Sequence, residues 1–216
     1  MSILITGANR GIGRALFDHY AGRGDAVIGT TRGPRADDRW LALDVSDPAS
    51  PATLARALDG RPLDLLVCNA GIYPDRGEAL DTGYPAAAWA EGFAVNVTGV
   101  FLTIQALLPN LRAAQGKIAI ISSRMGSQTL APGQSYIYRA TKAAALNLGR
   151  NLAHDLAGQS IAVGIYHPGW VRTDMGGSGA DLDARDAARG LAERFAALGP
   201  DNSGCFENWD GKTIPF

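Results

Sequence analysis

Tyr138 and Lys142 stand four residues apart in a stretch, 136–157, whose composition predicts a helix. That spacing puts both side chains on one helix face. A phenol titrates near ~10, too high for easy proton transfer at neutrality. A neighbouring ammonium favours the phenolate and lowers that value. The pair could therefore exchange a proton with an oxygen atom of a bound molecule. Tyr136 has Ala140 four residues later and cannot form the same pair. Alone, such a pair is commonplace on helix surfaces, so its meaning rests on its companions.

Two serines, Ser122 and Ser123, close an apolar run at 117–122. If that run is a buried strand, hydroxyls emerge at its carboxyl edge, where open α/β sheets bind ligands. A hydroxyl there could stabilise charge developing on a carbonyl or alcohol oxygen. Asn96 lies inside the apolar stretch Phe93-Ala94-Val95-Asn96-Val97. An amide in such surroundings is costly unless it is hydrogen-bonded. Near the N-terminus, Thr6-Gly7-Ala8-Asn9-Arg10-Gly11-Ile12-Gly13 joins a strand pattern to a helix pattern. Glycines there let the backbone turn tightly and approach a pyrophosphate, which the free N–H groups of the helix start would hold. Arg10 in this loop and Arg32 after the second strand could clamp a further phosphate with charge-assisted bonds. His167 precedes Pro168 close to the expected site, and a substrate role for it is open. His19 and His154 fall in helix patterns and read as surface or packing residues. No Cys/His spacing suggests a metal.

The elements needed to position these groups alternate along the chain. Strand patterns cover residues 2–6, 26–31, 40–43, 63–68, 117–122, 161–166 and 204–208. Helix patterns cover 12–23, 51–58, 86–114, 136–157 and 182–197, the long third one with a bend or break near its start. Apolar runs such as 63–68 suit strands buried on both faces. Strands separated by helices predict parallel pairing with right-handed crossovers, hence a doubly wound sheet with helices on both faces. Glycine- and proline-rich patches at 29–34, 71–85 and 175–180 are loop-sized, and residues 1–216 read as one domain.

Composition agrees. A chain of 216 residues, 46% hydrophobic and 19% charged, can bury one sizeable core. A net charge of -1 gives no global field for nucleic acid or an anionic membrane. Two cysteines, Cys68 and Cys205, make no disulfide framework and read as free thiols in a reducing compartment. No signal-peptide pattern and no long uninterrupted apolar run is evident, so a cytoplasmic protein without a transmembrane helix is expected.

The octet 6–13 resembles the TGxxxGxG cofactor motif of short-chain dehydrogenases/reductases, and the likeness extends along nearly the whole chain. It makes Gly7, Gly11 and Gly13 the motif glycines, with Asn9, Arg10 and Ile12 beside the cofactor. Where NAD-preferring relatives carry Asp at the second strand's end, this chain has Thr31 followed by Arg32. The resemblance therefore implies NADP(H), with NAD(H) less expected. Asp44 and Val45 resemble the adenine-recognition motif, and Asn69-Ala70-Gly71 the NAG motif. Cys68 replaces an Asn common among relatives. The family pattern assigns catalysis to Asn96, Ser123, Tyr138 and Lys142, with Ser122 a less suitable substitute. It gives Lys142 a second task, holding the nicotinamide ribose, and Asn96 a water that links the lysine to solvent. Pro168, Gly169, Val171 and Thr173 resemble the PG segment that holds the nicotinamide carboxamide.

Substrate choice in the family lives after Thr173, where 175–180 is short and glycine-rich and promises few fixed walls. The Trp209-Asp210-Gly211 ending is similar to the small carbonyl-reductase and C-factor-like subgroup. These features imply hydride transfer between nicotinamide and a ketone, aldehyde or alcohol. The alternative is a cofactor-binding signalling protein with little turnover. Many relatives associate as dimers or tetramers through their two long helices, here 86–114 and 136–157.

Overall fold

The computed structural model describes residues 1–33 and 37–216. Pro34, at the end of the first glycine/proline-rich patch, lies outside the described residues. Among the described residues, seven strands form one parallel sheet: β1 (Ser2–Ile5), β2 (Ala26–Thr31), β3 (Trp40–Ala42), β4 (Leu65–Cys68), β5 (Lys117–Ile121), β6 (Ala162–His167) and β7 (Phe206–Asn208). Their order is β3-β2-β1-β4-β5-β6-β7. The chain thus winds outward from β1 in one direction, returns to β4 on its other side, and winds outward again. The doubly wound single-domain α/β sheet expected from the alternating pattern is the observed fold.

Helices cover both faces: α1 (Gly11–Gly22), α2 (Ser50–Leu58), α3 (Ala86–Phe93), α4 (Gly99–Ala114), α5 (Tyr136–Leu156) and α6 (Ala184–Ala197). Successive strand residues point to opposite faces, so each apolar run feeds two cores. Leu4, Leu66, Ile118 and Ile120 pack with α2, α4 and α5. Ile3, Ile5, Leu65, Val67 and Ile121 pack with α1 and α6. Within the second core, Phe17 stacks on Trp40 at 4.6 Å, which fits only because Gly29 has no side chain against the indole.

The long helical pattern at 86–114 is broken, as its sequence suggests, but by insertion of a π turn. Residues Ala94–Thr98 form this wider turn between α3 and α4. Such turns are rare and concentrate at functional sites. Here the turn carries Asn96, which faces the loop after β4. By length and composition the stretch Ala86–Ala114 could cross a membrane, with a mean hydropathy of 1.5. Yet Val100, Ile104, Leu107 and Leu111 are core, and Asn96, Thr103 and Asn110 all bond inside the protein.

Element ends move by a residue or two from the sequence reading, for local reasons. α6 starts at Ala184, not at residue 182, because the Asp183 carboxylate caps it through the Arg185 N–H at 2.8 Å. Leu182 instead bridges to Val171. β7 starts at Phe206 because Gly204, at φ +86°, still belongs to a turn. Both cysteines are free thiols, and burial pushes Cys68 up to about 12, so it is a neutral core group.

Candidate active site

The winding direction changes between β1 and β4, and adjacent loops part there to leave a crevice. The structure laces the two loops together across it. The Thr6 hydroxyl accepts from the N–H groups of Asn69 and Ala70, at 2.9 and 3.0 Å. In return the Asn69 amide donates to the Thr6 and Gly7 carbonyls at 2.9 and 3.1 Å. Gly7 adopts φ +63°, and a side chain there would meet Ala70. A Cβ on Gly13 would lie 2.4 Å from the Gly7 oxygen. Both positions therefore require glycine.

This packing turns the start of α1 toward the crevice with its donors open. Arg10, the N-cap residue, provides no side-chain cap. Among the described residues, the amides of Gly11, Ile12 and Gly13 find no backbone carbonyl. Arg10 reaches outward to Asp174 at 3.1 Å in an exposed pair that would cost little to break. Arg32 stands exposed past the end of β2 and contributes to holding the Asp44 carboxyl low, after the larger effect of two hydrogen bonds from Ser46. Val45 packs against Gly99, and Pro168 is buried while Gly169 turns at φ +88° against Trp209. Val171 is buried too. Thr173 approaches Gly11, but its hydroxyl is engaged within its own loop, accepting from Gly176 N–H at 3.0 Å and donating to the Val171 carbonyl at 3.3 Å. A surface cleft of about 580 Å³ adjoins the outer side of the glycine loop, between Arg10, Arg14 and Arg185; Tyr138 takes no part in it.

Asn96, Ser123, Tyr138 and Lys142 are all nearly inaccessible and lie at the carboxyl edge of β4 and β5. Ser123 lies beside the Tyr138 phenol, and its oxygen accepts from Met125 N–H at 3.1 Å. Ser122 is committed elsewhere, donating to the Lys142 carbonyl at 2.9 Å, which leaves Ser123 as the serine facing Tyr138. The Lys142 ammonium donates to the Ile121 carbonyl at 3.0 Å and lies 5.5 Å from the centre of the Tyr138 ring. Asn96 uses both ends of its amide: its oxygen accepts from Ile72 N–H, and its nitrogen donates to the Ile72 carbonyl and the Thr141 hydroxyl, which leaves one lone pair of the oxygen free. Gly71 lies between Asn96 and Lys142, where a Cβ would touch the Lys142 ammonium and crowd the Asn96 oxygen.

The loop after β4 brings further groups that sequence reading passed over. Tyr73 stacks on Tyr138 with ring centres 4.2 Å apart. Asp75, 1% exposed, accepts from the backbone at the start of α5. Arg76 lies over Tyr73 and donates to the Met175 carbonyl. These partners come from far along the chain, and no local pattern in a glycine- and proline-rich patch announces them. Arg76 also corrects the view of 175–180 as a segment with few fixed walls. That segment is braced by Arg76, by Trp170, whose indole N–H donates to Gly176, and by Thr173.

Residues 1–181 match the sequence model of the short chain dehydrogenase family. The chain belongs to this family. It is 37% identical to the C-signal protein of Myxococcus xanthus over 157 residues, spanning 72% of this chain and 93% of that one. It is 32% identical to the 3-oxoacyl-acyl-carrier-protein reductase FabG of Escherichia coli over 185 residues, 80% of this chain and 74% of that one. Among solved structures, the NADPH-bound carbonyl reductase from chicken fatty liver superposes with a TM-score of 0.90 at 31% identity, covering 100% of this chain and 98% of that one. This short-chain dehydrogenase is an oxidoreductase, as the family model and the reductase-named relatives show.

Electrostatics at the site differ from the sequence expectation in one respect. Lys142 does not pull the Tyr138 phenol down. Burial dominates and pushes Tyr138 up to about 12, against the lowering effect of the neighbouring Ser123 hydroxyl. Burial likewise pushes Lys142 down to about 8. His167, at the end of β6, is pushed down to about 4 by burial and then by the charges of Arg124 and Lys142, so it is neutral, with Nδ1 buried and without a partner among the described residues.

For Lys142 the folded protein gives up its proton before the unfolded chain does. Its burial penalty is full below about 8 and is relieved as pH rises toward 10.5. Relative to a Lys142→Met variant, the native chain should therefore gain about 2 kcal/mol of stability between about pH 7 and about pH 10, read by urea unfolding of both proteins. Parallel curves for the two proteins would contradict the buried, depressed lysine.

Proposed function

We propose that this short-chain dehydrogenase reduces the carbonyl group of a ketone or aldehyde, with NADPH as the hydride source and Tyr138 as the proton donor. The observation that carries this reading is the buried Ser123–Tyr138–Lys142 cluster at the sheet edge beside a glycine loop with open donors. Those amides, the positive end of α1 and the tight contacts at Gly7 and Gly13 suit a dinucleotide pyrophosphate. Asn9 and Ile12 complete this loop. Asp44 and Val45 would hold the adenine, and Asn69, Ala70 and Gly71 the adenosine side. Lys142 would also hold the nicotinamide ribose, with Pro168, Gly169, Val171 and Thr173 at the carboxamide. Arg10 and Arg32 would take the 2′-phosphate, and the carbonyl reductase from chicken fatty liver is NADPH-bound in its crystal structure. NADP(H) is thus the cofactor of this reading, ahead of NAD(H).

When bound, the cofactor supplies hydride chemistry, and the protein supplies orientation and the proton. Ser123 donates to the substrate oxygen and stabilises charge there. Tyr138 holds its proton at neutrality because it is buried, so it is ready to act as an acid toward that oxygen. Lys142 titrates closer to neutrality and can return a proton to the phenol. Asn96 keeps the loop beside Lys142 in place and would hold the water leading to solvent. A signalling protein with little turnover, the reading a C-signal relative invites, would have no need of four buried polar groups so arranged. Cytoplasmic residence suits the free thiols. Association through α3, α4 and α5 is part of the proposal, supported by the exposed Phe93 and Phe101, and a single-chain mass in light scattering would count against it.

With NADPH and 4-nitrobenzaldehyde, Tyr138→Phe should lose turnover by about 100-fold or more while binding NADPH as before. Undiminished turnover would remove Tyr138 from its role. In fluorescence titration the native chain should prefer NADPH to NADH. Replacing Arg10 and Arg32 together by Ala should weaken NADPH by about 100-fold, two lost charge-assisted contacts, and leave NADH nearly unchanged. Unaltered NADPH affinity would shift the cofactor assignment to NAD(H).

A further inference from the structure

Helix α5 begins without a cap of its own. Its N-cap residue, Ser135, has φ 51° and ψ 45°, in the left-handed region, and makes no side-chain cap bond. A capping hydroxyl ordinarily works from extended backbone and accepts from an N–H two or three residues on. The Ser135 hydroxyl instead meets the Tyr73 hydroxyl at 2.5 Å. The missing cap comes from the loop after β4. One carboxylate oxygen of Asp75 accepts from Ile137 N–H at 2.7 Å, and the other from Tyr138 N–H at 3.1 Å. A carboxylate is the fitting acceptor here: it answers the positive helix end, and charge-assisted bonds are the stronger kind. Its two oxygens face the two donors, whereas an amide has a single oxygen and would turn its NH2 group toward the backbone N–H groups.

Tyr138 is gripped twice by one short loop. Its backbone N–H is held by Asp75, and its ring lies on Tyr73 at an interplanar angle of 19°. The loop in turn is fixed, because Asn96 bonds both backbone groups of Ile72. This matters because Tyr138 sits in the first turn of its helix, where fraying is greatest. Proton transfer requires heavy atoms about 2.6–3.2 Å apart, and a shift of about 1 Å can cost about 100-fold in rate.

We infer that Asp75, seconded by Tyr73, is a positioning residue that sets the start of α5 and through it the place of the Tyr138 phenol oxygen. The inference rests on Tyr138 being the proton donor. Neither Asp75 nor Tyr73 is required to touch the cofactor or exchange a proton with the substrate.

The test combines amide exchange with kinetics on the full chain. In the native protein the Ile137 and Tyr138 amides should be protected, although first-turn amides ordinarily are not. In Asp75→Asn their exchange should quicken by about tenfold or more while Leu146, in mid-helix, stays protected. Turnover of 4-nitrobenzaldehyde, counted per NADPH-binding site, should fall about 10- to 100-fold, with KM and NADPH affinity within about twofold. A purely structural role would lower the number of NADPH-binding sites and leave kcat per site intact, and that result would overturn the inference. Unprotected Ile137 and Tyr138 amides in the native chain would overturn it as well. Should Asp75→Asn not fold, Tyr73→Phe, which keeps the ring and removes the hydroxyl, must show a smaller loss of kcat per site in the same direction; no loss would be decisive against the clamp. Retained turnover in Tyr138→Phe is a different failure, since it would undo the proton-donor assignment while amide protection still reported the clamp.

Discussion

A buried amide must satisfy both ends, and the active-site region is arranged around one that does. Asn96 engages its oxygen and its nitrogen with Ile72 and Thr141. Left unsatisfied, such a group would cost about 1–3 kcal/mol for each lost partner. Those three bonds join the π turn, the loop after β4 and helix α5. The π turn follows from the same need. A regular α-helix through 94–98 would present residue 96 at a different angle, and the wider turn aims its side chain at Ile72. Gly92 and Gly99 on either side let this distorted stretch sit close to Ile137 and Val45.

Around that anchor, low dielectric sets the chemistry more than pair charges do. Lys142 is buried without a carboxylate partner among the described residues, and its bond to the Ile121 carbonyl only partly replaces water. Its affinity for a proton falls for that reason. Burial acts on the phenol in the opposite sense and keeps it protonated. The two shifts bring the lysine toward neutrality and hold the tyrosine as an acid, the combination that suits proton delivery to a carbonyl oxygen. The sequence pattern put the two groups on one helix face, but a face alone does not reveal how deeply it is buried.

Much of this architecture was legible in the residues. Apolar runs such as 63–68 suit central strands, and the glycines at 7 and 13 announce a tight turn. The Ser123, Tyr138 and Lys142 set follows from strand-end and helix spacing together with the family likeness. What could not be read were contacts whose meaning depends on distant partners. Asp75 looks like any loop carboxylate until α5 is laid across it, and Ser135 looks like a sound N-cap until its backbone is seen to be left-handed. Ser122 and Ser123 are equivalent by composition, and the preference for Ser123 rests on the family likeness alone until the structure shows Ser122 donating to the Lys142 carbonyl.

The same dependence on distant partners explains why the segment after Thr173 is firmer than its glycines imply. Glycine lowers the stiffness of a segment only when nothing else constrains it. Here one side is tied to the glycine loop, where Thr173 lies against Gly11 and Asp174 pairs with Arg10. The other side is tied to the loop after β4, where Arg76 reaches the Met175 carbonyl while resting on Tyr73. Tyr73 in turn lies on Tyr138. The segment is therefore in contact with both halves of the crevice, the half built on the glycine loop and the half that carries the phenol. One of its glycines is then a geometric necessity: Gly176 leaves no room for a side chain beside the Val171 carbonyl, so the tight turn that brings Met175 to Arg76 requires glycine at that point.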